Sequence, residues 1–479
     1  MGEYEKSPPR GRGSLSLTVS ENAYDILAIT KITFLSTRFA GPDSRRESRS
    51  CYLGKMPDMK ILMLVGNEKE VGTYYRAFGW AKFLVEAGHV VTIACDGRER
   101  FHTHSYNEAG IKIVETPSFM DGRLLGTRLC GMGGWGLLSV RARHAELLGG
   151  KYDVVHSFEH YPSVVLPVYT AGYKKRPVVL SDSCDHFGEG GFRDTYDLYR
   201  MRSVYRQLGK LPRKLLDYLE AEVKRRAAAV TVISRYLFDR AVRLGVDPKN
   251  ITIIRGSVDT EKIKSINKLE GRDKVGISKK QRIVTFLGTG QFDVDFALSA
   301  FVTVSQQMPD ARFLLLGTKT ESLGRVINKL SLSGRVIVTG WRPQQELIHF
   351  LSSTDVFMLP MRDNPVNQAR WPNKIGEYMA TGRPTVCSQV GDVAELVGRE
   401  HIGLAVKNDP VGFGTAILEL LKDDRLADDM GRRARRVAER QFDVAVQGSQ
   451  IERVYRQLVS GRIASCVRQH KEEQVVSEH

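Results

Sequence analysis

Residues 370–386 read RWPNKIGEYMATGRPTV, and this order of residue types is typical of an α/β protein. Pro372 stands where the first turn of a helix tolerates proline, because the missing N–H had no partner there. Good helix formers follow, and Gly382 and Pro384 end the helix in the usual order. The apolar residues 384–387 read as a short buried strand. We therefore predict a loop, a short helix, a tight turn and a strand in immediate succession.

The start of this predicted helix has the chemistry of an anion site. Free backbone N–H groups at a helix N-terminus, with Lys374 beside them, suit a phosphate group. Glu377 follows one turn later on roughly the same side, where its carboxylate could accept hydrogen bonds from two neighbouring hydroxyls, as a ribose offers. A solvated surface pair of Lys374 and Glu377 is the simpler alternative.

Length and composition indicate a globular protein with two domains. The chain of 479 residues is too long for one ordinary core, and no apolar run approaches the ~20 residues that span a bilayer. A net charge of +16 favours anionic partners, yet no nucleic-acid module is present, so we expect no nucleic-acid partner. Six scattered cysteines without zinc spacing predict reduced thiols, a cytoplasmic location and no metal site.

The alternation of apolar and polar stretches divides the chain into six segments. We predict a disordered extension at 1–57, an N-terminal Rossmann-like domain at 58–256, a charged linker at 257–280, a C-terminal Rossmann-like domain at 281–440, a helix at 441–465 that packs back towards the N-terminal domain, and a polar tail at 466–479.

The N-terminal half begins with a βαβ unit. A strand at 60–65, a helix at 74–87 and a strand at 89–94 follow in order, but without G-x-G-x-x-G, so a nicotinamide dinucleotide site is disfavoured. The loop after a later strand, 177–181, is rich in acids and glycines, and a polar turn is its simpler reading. A basic helix at 196–229 suits either an anionic membrane surface or a solvated face.

The C-terminal half repeats the pattern from a strand at 282–287 onwards. We therefore predict an α/β fold with two tandem Rossmann-like domains that face each other across a cleft. The carboxyl-end loops of both sheets would meet there, which lets one ligand bind between two halves and lets hinge closure exclude water.

Ten short sequence pieces carry a family resemblance. They are GTYYR at 72–76, AGHVVT at 87–92, DVVH at 153–156, VIS at 232–234, GSVD at 256–259, FLG at 286–288, Gly340, DVFMLP at 355–360, PNKIGEYMATGRP at 372–384 and GDVAE at 391–395. Together and in this order, over about residues 59–460, they resemble the GT-B glycosyltransferases, specifically the retaining glycosyltransferase family four.

The resemblance implies a nucleotide-sugar donor held mainly by the C-terminal domain. Glu377 matches the second Glu of the family's paired-Glu motif, which binds the ribose, and Lys374 and the N–H groups near it would face the diphosphate. The full set of predicted donor-binding residues is Gly288, Thr289, Gly290, Arg370, Asn373, Lys374, Glu377 and Glu395.

The same resemblance implies an acceptor against the N-terminal domain, at Gly72, Arg76 and the loop 182–191. Asp182, Asp185 and His186 are the candidate catalytic residues, and they compete for the position of the family's amino-domain His. 

Two positions depart from the family pattern. Ala369 stands where the family has the first Glu of its pair, so that Asn364, Asn367 or Arg370 would replace its contact. Residues 291–296 stand where the family has an Arg and a Lys.

The predicted function is transfer of a hexose from a UDP-sugar or GDP-sugar to an acceptor hydroxyl, with retention of the anomeric configuration. We expect this transfer to need neither a metal ion nor a cofactor. The acceptor would be a glycan or glycolipid of the cell envelope, and the protein would be cytoplasmic, with peripheral contact to the inner face of the membrane. A nucleotide-sugar-binding protein without activity and a nucleotide-sugar epimerase are the alternatives.

Overall fold

The computed structural model describes nine stretches of the chain. They are residues 58–99, 101–117, 136–171, 177–188, 190–191, 210–264, 266–288, 294–317 and 320–477. The predicted extension at 1–57 lies outside these residues. Among the described residues no helix is both long enough and apolar enough to cross a bilayer.

The N-terminal half contains an eight-stranded sheet. Its strands are β1 (Lys60–Glu68), β2 (Val90–Asp96), β3 (His104–Glu108), β4 (Ile111–Thr116), β5 (Val154–Phe158), β6 (Val178–Ser183), β7 (Ala229–Val232) and β8 (Ile251–Ile253). The spatial order is β3-β4-β2-β1-β5-β6-β7-β8, and all neighbours are parallel except the hairpin pair β3 and β4. Parallel order brings the carboxyl ends of the other strands to one edge of the sheet.

The C-terminal half contains a six-stranded parallel sheet. Its strands are β9 (Arg282–Leu287), β10 (Ala311–Leu316), β11 (Val336–Val338), β12 (Val356–Leu359), β13 (Thr385–Ser388) and β14 (Gly403–Val406). The order β11-β10-β9-β12-β13-β14 is that of a doubly wound Rossmann sheet. The predicted fold class, two Rossmann-like domains, is therefore confirmed.

Fifteen α-helices connect and follow the described strands. They are α1 (Thr73–Glu86), α2 (Leu137–Gly150), α3 (Pro162–Thr170), α4 (Lys210–Arg226), α5 (Arg235–Arg243), α6 (Lys268–Val275), α7 (Val294–Gln307), α8 (Glu321–Lys329), α9 (Gln344–Ser352), α10 (Pro365–Ala369), α11 (Asn373–Thr381), α12 (Gly391–Glu400), α13 (Pro410–Lys422), α14 (Asp424–Val437) and α15 (Val444–Ser477).

Strand β1 shows why the sequence contains continuous apolar runs. Ile61, Met63 and Val65 belong to the core on one face of the sheet, whereas Leu62 and Leu64 belong to the core on the other face. A strand that is covered on both faces needs apolar residues at every position, because alternate side chains point to opposite faces.

The C-terminal helix α15 packs on the N-terminal half. Ile451 and Tyr455 belong to the same buried core as β1 and α1. A Cβ at Gly448 would lie 2.3 Å from the ring of Phe83 in α1, so only glycine allows the two helices to come this close. The hydroxyl of Tyr455 lies 2.7 Å from Nδ1 of the buried His156.

The chain crosses between the two halves twice, and the two crossings lie side by side. The N–H of Val258 donates to the carbonyl of Phe442 at 2.8 Å, and the N–H of Val444 donates back to the carbonyl of Val258 at 3.1 Å. Thr260 completes the contact, because its hydroxyl donates to Asp443 at 2.6 Å.

Helix α6 lies inside the stretch 257–280 that the sequence presented as a charged linker. Lys268 and Arg272 on this helix donate to the buried carboxylate of Asp355 at 2.6 and 2.5 Å, and the N–H of Ile283 donates to it at 2.6 Å. Two of the charged residues of this stretch, Lys268 and Arg272, are therefore partners of a buried acid rather than parts of a solvated linker.

Several other local predictions need correction. The polar hairpin strand β3 and helix α2 were not predicted from the sequence. Helices α13 and α14 are separated at Asp423, whose side chain accepts a hydrogen bond from the N–H of Leu426 and so begins α14. Helix α15 runs to Ser477, into the stretch proposed as a polar tail.

We expect Asp355→Asn to lower the free energy of unfolding by about 3 kcal/mol, because it removes the counter-charge of the buried Arg272. The control is Asp424→Asn, which removes an exposed partner of Arg282 and should cost less than about 1 kcal/mol. Urea titration of both variants measures the difference, and equal small losses would show that α6 does not depend on Asp355.

Candidate functional site

The carboxyl edge of the C-terminal sheet presents a helix start that no side chain caps. Pro372 occupies the N-cap of α11 and offers no capping hydrogen bond. The helix is held firmly, because the ring of Tyr378 stacks on Phe357 at 4.0 Å and its hydroxyl accepts the N–H of Leu287 at 2.9 Å. The first-turn N–H groups of α11 are therefore fixed beside the end of β9.

Glu377 is the most unusual residue of this helix. Its side chain is buried, with 5% of the residue exposed, and Oε2 has no hydrogen-bond partner among the described residues. Burial raises the pKa of Glu377 to about 7, and Lys374 offsets part of this effect. A buried carboxylate oxygen without a partner is costly to the folded protein, so its presence indicates a ligand that supplies the missing hydrogen bond.

Lys374 brings a positive charge to the same helix start. Its Nζ lies 4.4 Å from the centroid of the Phe286 ring, and the side chain is half-buried. Phe286 belongs to β9, and Gly288 lies two residues later. A Cβ added at Gly288 would lie 2.5 Å from the Phe286 ring. The two predicted donor residues Lys374 and Gly288 are thus brought together around one aromatic ring. Thr289 and Gly290 lie outside the described residues.

Arg370 lies just before α11 and faces the other half of the molecule. Its Nη1 donates to Oδ1 of Asn367 at 3.1 Å, and the Asn367 amide in turn donates to the carbonyl of Arg362 at 2.9 Å. Asn364 caps α10 through the N–H of Asn367. Of the three residues considered as replacements for the family's first Glu, both asparagines are therefore engaged internally.

Two further predicted donor residues are exposed. Asn373 begins α11, and a Cβ added at Gly256 would lie 3.1 Å from its Oδ1. Gly256 belongs to the first crossing between the halves, so this crossing runs close to the start of α11. Glu395 lies on the outer face of α12 and pairs with Arg399 at 3.3 Å, four residues later. The surroundings of Glu395 are those of a surface ion pair.

In the N-terminal half, Arg76 and Asp182 form a buried ion pair. Arg76 donates through Nε and Nη2 to both carboxylate oxygens of Asp182, at 3.1 and 3.0 Å. It also donates to the carbonyls of Ile254 and Arg255, at 2.7 and 3.1 Å. Four of the five N–H donors of the Arg76 side chain are therefore used by internal partners.

The carboxylate of Asp182 has further internal donors. The hydroxyl of Thr231 and the thiol of Cys184 both donate to it. Burial by itself would raise the pKa of Asp182, but Arg76, together with His156 and Cys184, more than offsets this and holds the pKa below its ordinary value. These surroundings favour a structural role for Arg76 and Asp182 over the acceptor and catalytic roles that the sequence suggested.

Gly72 precedes α1 in a backbone conformation that favours glycine, with φ +54°. A Cβ there would lie 2.9 Å from the side chain of Asn67. Asn67 accepts the N–H and the hydroxyl of Thr73 at 3.1 and 2.6 Å, so it closes the loop onto the helix start. The loop is thereby shaped by its own residues.

Asp185 and His186 differ in their surroundings. His186 is buried, and its ring packs against Tyr236 at 5.5 Å. Asp185 is half-buried, and burial raises its pKa to about 6, while Arg370 from the C-terminal half lowers it. Asp185 and Arg370 therefore attract each other across the two halves.

Sequence reasoning missed one acid at this edge, Glu159. It follows β5 directly and is 1% exposed, with φ +67°. Its position was readable, because a polar residue after a buried parallel strand lies at the edge where α/β proteins bind ligands.

Asp392 holds the two halves together beside the site. Both of its oxygens accept the N–H of Arg235 at 3.1 Å, and Oδ2 accepts Nε and Nη2 of Arg255 at 3.2 and 2.5 Å. Ser234 adds a bond to the carbonyl of Ala369 at 2.7 Å. The position of the family's first Glu is thus occupied by a small buried residue that contacts the N-terminal half.

Comparison with known proteins identifies the family. A model described as "Glycosyl transferases group 1" matches residues 281–423, and "Glycosyltransferase Family 4" matches residues 75–262. The chain belongs to the GT-B glycosyltransferases of the family-four type. The two matched regions of this family-four chain contain most of the C-terminal and the N-terminal sheet, and the resemblance predicted from the sequence is confirmed.

Curated relatives match parts of the family-four chain. It is 25% identical over 217 residues to the putative teichuronic acid biosynthesis glycosyltransferase TuaH of Bacillus subtilis, which is 45% of this chain and 53% of that protein. It is 25% identical over 231 residues to the N-acetyl-α-D-glucosaminyl L-malate synthase of Bacillus anthracis, 47% of this chain and 58% of that protein. The chain thus spans a little over half the length of these two relatives.

Solved structures match the fold over most of the family-four chain. The sucrose-phosphate synthase from Thermosynechococcus elongatus has a TM-score of 0.66 at 17% identity, covering 84% of this chain and 100% of that one. Anabaena HepE in complex with UDP has a TM-score of 0.60 at 15% identity, covering 83% and 100%. These similarities show the same two-domain GT-B fold.

We expect Glu377→Gln to stabilise the ligand-free protein by about 1–3 kcal/mol at pH 8 and to leave stability nearly unchanged at pH 5. Because the folded protein keeps the Glu377 proton to a higher pH than the unfolded chain, wild-type stability falls between about pH 4.5 and 7. The glutamine cannot ionise, so it removes this loss.

Urea titration at the two pH values measures the effect, with the exposed Glu395→Gln as the control that should show no pH-dependent change. A variant that loses stability between pH 5 and 8 as steeply as the wild type would contradict the assignment of the buried charge to Glu377.

Proposed function

We propose that the protein transfers a hexose from a nucleoside-diphosphate sugar to an acceptor hydroxyl, with the donor bound at the start of α11. The main support for this proposal is Glu377. Its buried Oε2 has no hydrogen-bond partner among the described residues, and it lies in the first turns of a helix that no side chain caps. A ribose offers that oxygen a hydroxyl donor, and the first turn, which no side chain caps, turns its N–H groups towards the diphosphate.

The charge of the departing diphosphate is stabilised by fixed groups in this proposal. Lys374 lies beside the helix start, and the helix dipole adds positive potential there. Arg370 supplies a second cation at the side that faces the N-terminal half. These groups support transfer without a metal ion and without a cofactor.

The chemical step is a same-face substitution that retains the configuration of the sugar. The bond between the anomeric carbon and the phosphate oxygen breaks, and its electron pair stays on that oxygen. The acceptor oxygen forms the new bond to the anomeric carbon on the same face, and its proton passes to the departing phosphate oxygen. The products are a nucleoside diphosphate and a glycoside.

The acceptor in this proposal is a glycan or glycolipid of the cell envelope. The names of TuaH, of the amylovoran glycosyltransferase AmsK of Erwinia amylovora and of WaaG, a glycosyltransferase involved in lipopolysaccharide biosynthesis, refer to such polymers for those proteins. HepE was solved with UDP-glucose, which favours UDP as the nucleotide here.

We also propose that the protein is cytoplasmic and contacts the membrane peripherally. The basic end of α4 would provide the contact, although Glu222 already pairs with Arg225 and Arg226 at 3.0 and 2.9 Å.

A second candidate is a nucleotide-sugar-binding protein that does not catalyse transfer. Ala369, in place of the family's first Glu, favours it, because the methyl group cannot hydrogen-bond to the donor sugar. Titration with UDP and GDP, followed by a hydrolysis assay with the matching nucleotide sugars, separates the two candidates. Binding without any turnover would support the second.

We expect Lys374→Ala to reduce turnover with a nucleotide sugar at least about 100-fold, because a cation that stabilises the leaving group is lost. Glu377→Ala should mainly weaken donor binding, about tenfold or more, because a hydrogen bond to the ribose is lost. Lys329→Ala, at an exposed position of α8, is the matched control.

Calorimetry measures donor affinity, and the rate of nucleoside diphosphate release measures turnover. The activity of the wild type in EDTA should equal its activity with magnesium. Wild-type behaviour of both variants would place the donor elsewhere, and activity lost in EDTA and restored only by a divalent ion would overturn metal independence.

A further inference from the structure

Glu159 is a buried acid that is held in an unfavourable backbone conformation. Its φ of +67° lies in the left-handed region, which costs a residue other than glycine about 1–3 kcal/mol. Oε1 accepts the N–H of Cys184 at 2.9 Å, whereas Oε2 is buried and has no hydrogen bond among the described residues. Strain and an orphaned oxygen at one residue indicate a ligand-binding group.

The cation Lys224 acts on the carboxyl group of Glu159, but it is shared with Glu220. Lys224 lies 3.3 Å from Glu220 in an ion pair, and Arg76 is bound to Asp182. Burial and the nearby Asp185 raise the pKa of Glu159 well above its ordinary value. A protonated carboxyl can both donate and accept, which is what a hydroxyl group needs from its partner.

Tyr161 lies two residues after Glu159, and Phe187 lies three residues after Cys184, whose N–H binds Glu159. Tyr161 and Phe187 are half-buried, and their rings meet edge to face with centroids 5.8 Å apart. The ring of Tyr161 also covers Gly66 at the end of β1, where a Cβ would lie 2.6 Å from Cδ2. Apolar ring faces beside buried carboxyl groups match the two surfaces of a sugar, whose C–H face is apolar and whose rim carries hydroxyls.

We propose that Glu159, Asp185, Tyr161 and Phe187 form the acceptor subsite and that its ligand is an uncharged sugar. The subsite rests on the proposed transferase function and specifies its acceptor. Two acids at one subsite, whose nearest cations Lys224 and Arg370 also bind Glu220 and Asn367, disfavour a carboxylate or phosphate at the reacting end of the acceptor. Asp185 is attracted by Arg370, which precedes α11, so the subsite faces the donor site across the cleft.

The test measures nucleoside diphosphate release from the donor that binds best among UDP-glucose, UDP-N-acetylglucosamine and GDP-mannose. p-Nitrophenyl glycosides of glucose, galactose and N-acetylglucosamine serve as neutral acceptors, and L-malate and glycerol 3-phosphate serve as anionic ones. We expect at least one neutral glycoside to raise release about tenfold above water and both anions to have no effect.

The variants separate a binding role from a structural one. Glu159→Gln keeps the oxygen that accepts the N–H of Cys184, and it should lower kcat/KM for the glycoside about tenfold or more through KM. Tyr161→Ala should do the same, whereas Tyr161→Phe keeps the ring and should retain most of the activity. Donor affinity should stay unchanged in all three variants, and the exposed Glu439→Gln is the control.

Saturation-transfer NMR with the same glycosides, recorded without nucleotide, tests the subsite independently of the donor. Signals that vanish in Glu159→Gln and Tyr161→Ala would support the subsite even if no nucleotide sugar bound and the proposed transferase function failed. The subsite is overturned if an anionic acceptor is preferred, if neither assay responds to any glycoside, or if Glu159→Gln and Tyr161→Ala match the wild type within twofold.

Discussion

The buried guanidinium of Arg76 fixes the N-terminal half of the site. It lies 4.1 Å from the ring centroid of Trp80 and binds Asp182 through two parallel hydrogen bonds. The same group holds the carbonyls of Ile254 and Arg255, just before the chain leaves this half. Because Arg255 also reaches Asp392 in the other half, one connected set of charges joins the carboxyl edge of the first sheet to the second domain.

The site could be predicted from sequence where its signals are local. Pro372, Lys374 and Glu377 lie within one short helix, so their order alone indicated an anion site, and the structure adds the buried, unpartnered oxygen. Arg76 was singled out by the family resemblance and Asp182 by its place after a buried strand, but nothing indicated that they pair, because they are 106 residues apart. A pairing over that distance leaves no trace in spacing or composition.

The fold could be predicted because periodicity and glycine positions report on strands that are covered on both faces. Two kinds of element were not predicted: those whose polar residues bind a buried partner, and those whose residues are mostly exposed and so show no apolar pattern. Helix α6 was hidden because Lys268 and Arg272 bind Asp355, more than 80 residues later. Strand β3 was hidden because its residues are mostly exposed and it pairs only at the edge of the sheet.

The paired crossings at Val258 and Asp443 have a mechanical consequence. Domain hinges are a few loop or element-terminal residues that absorb a change in angle, and both crossings lie at one place. The C-terminal helix is docked on the first half, and its start lies beside the two crossings. Any change in the angle between the two halves must therefore be absorbed by both backbone segments together.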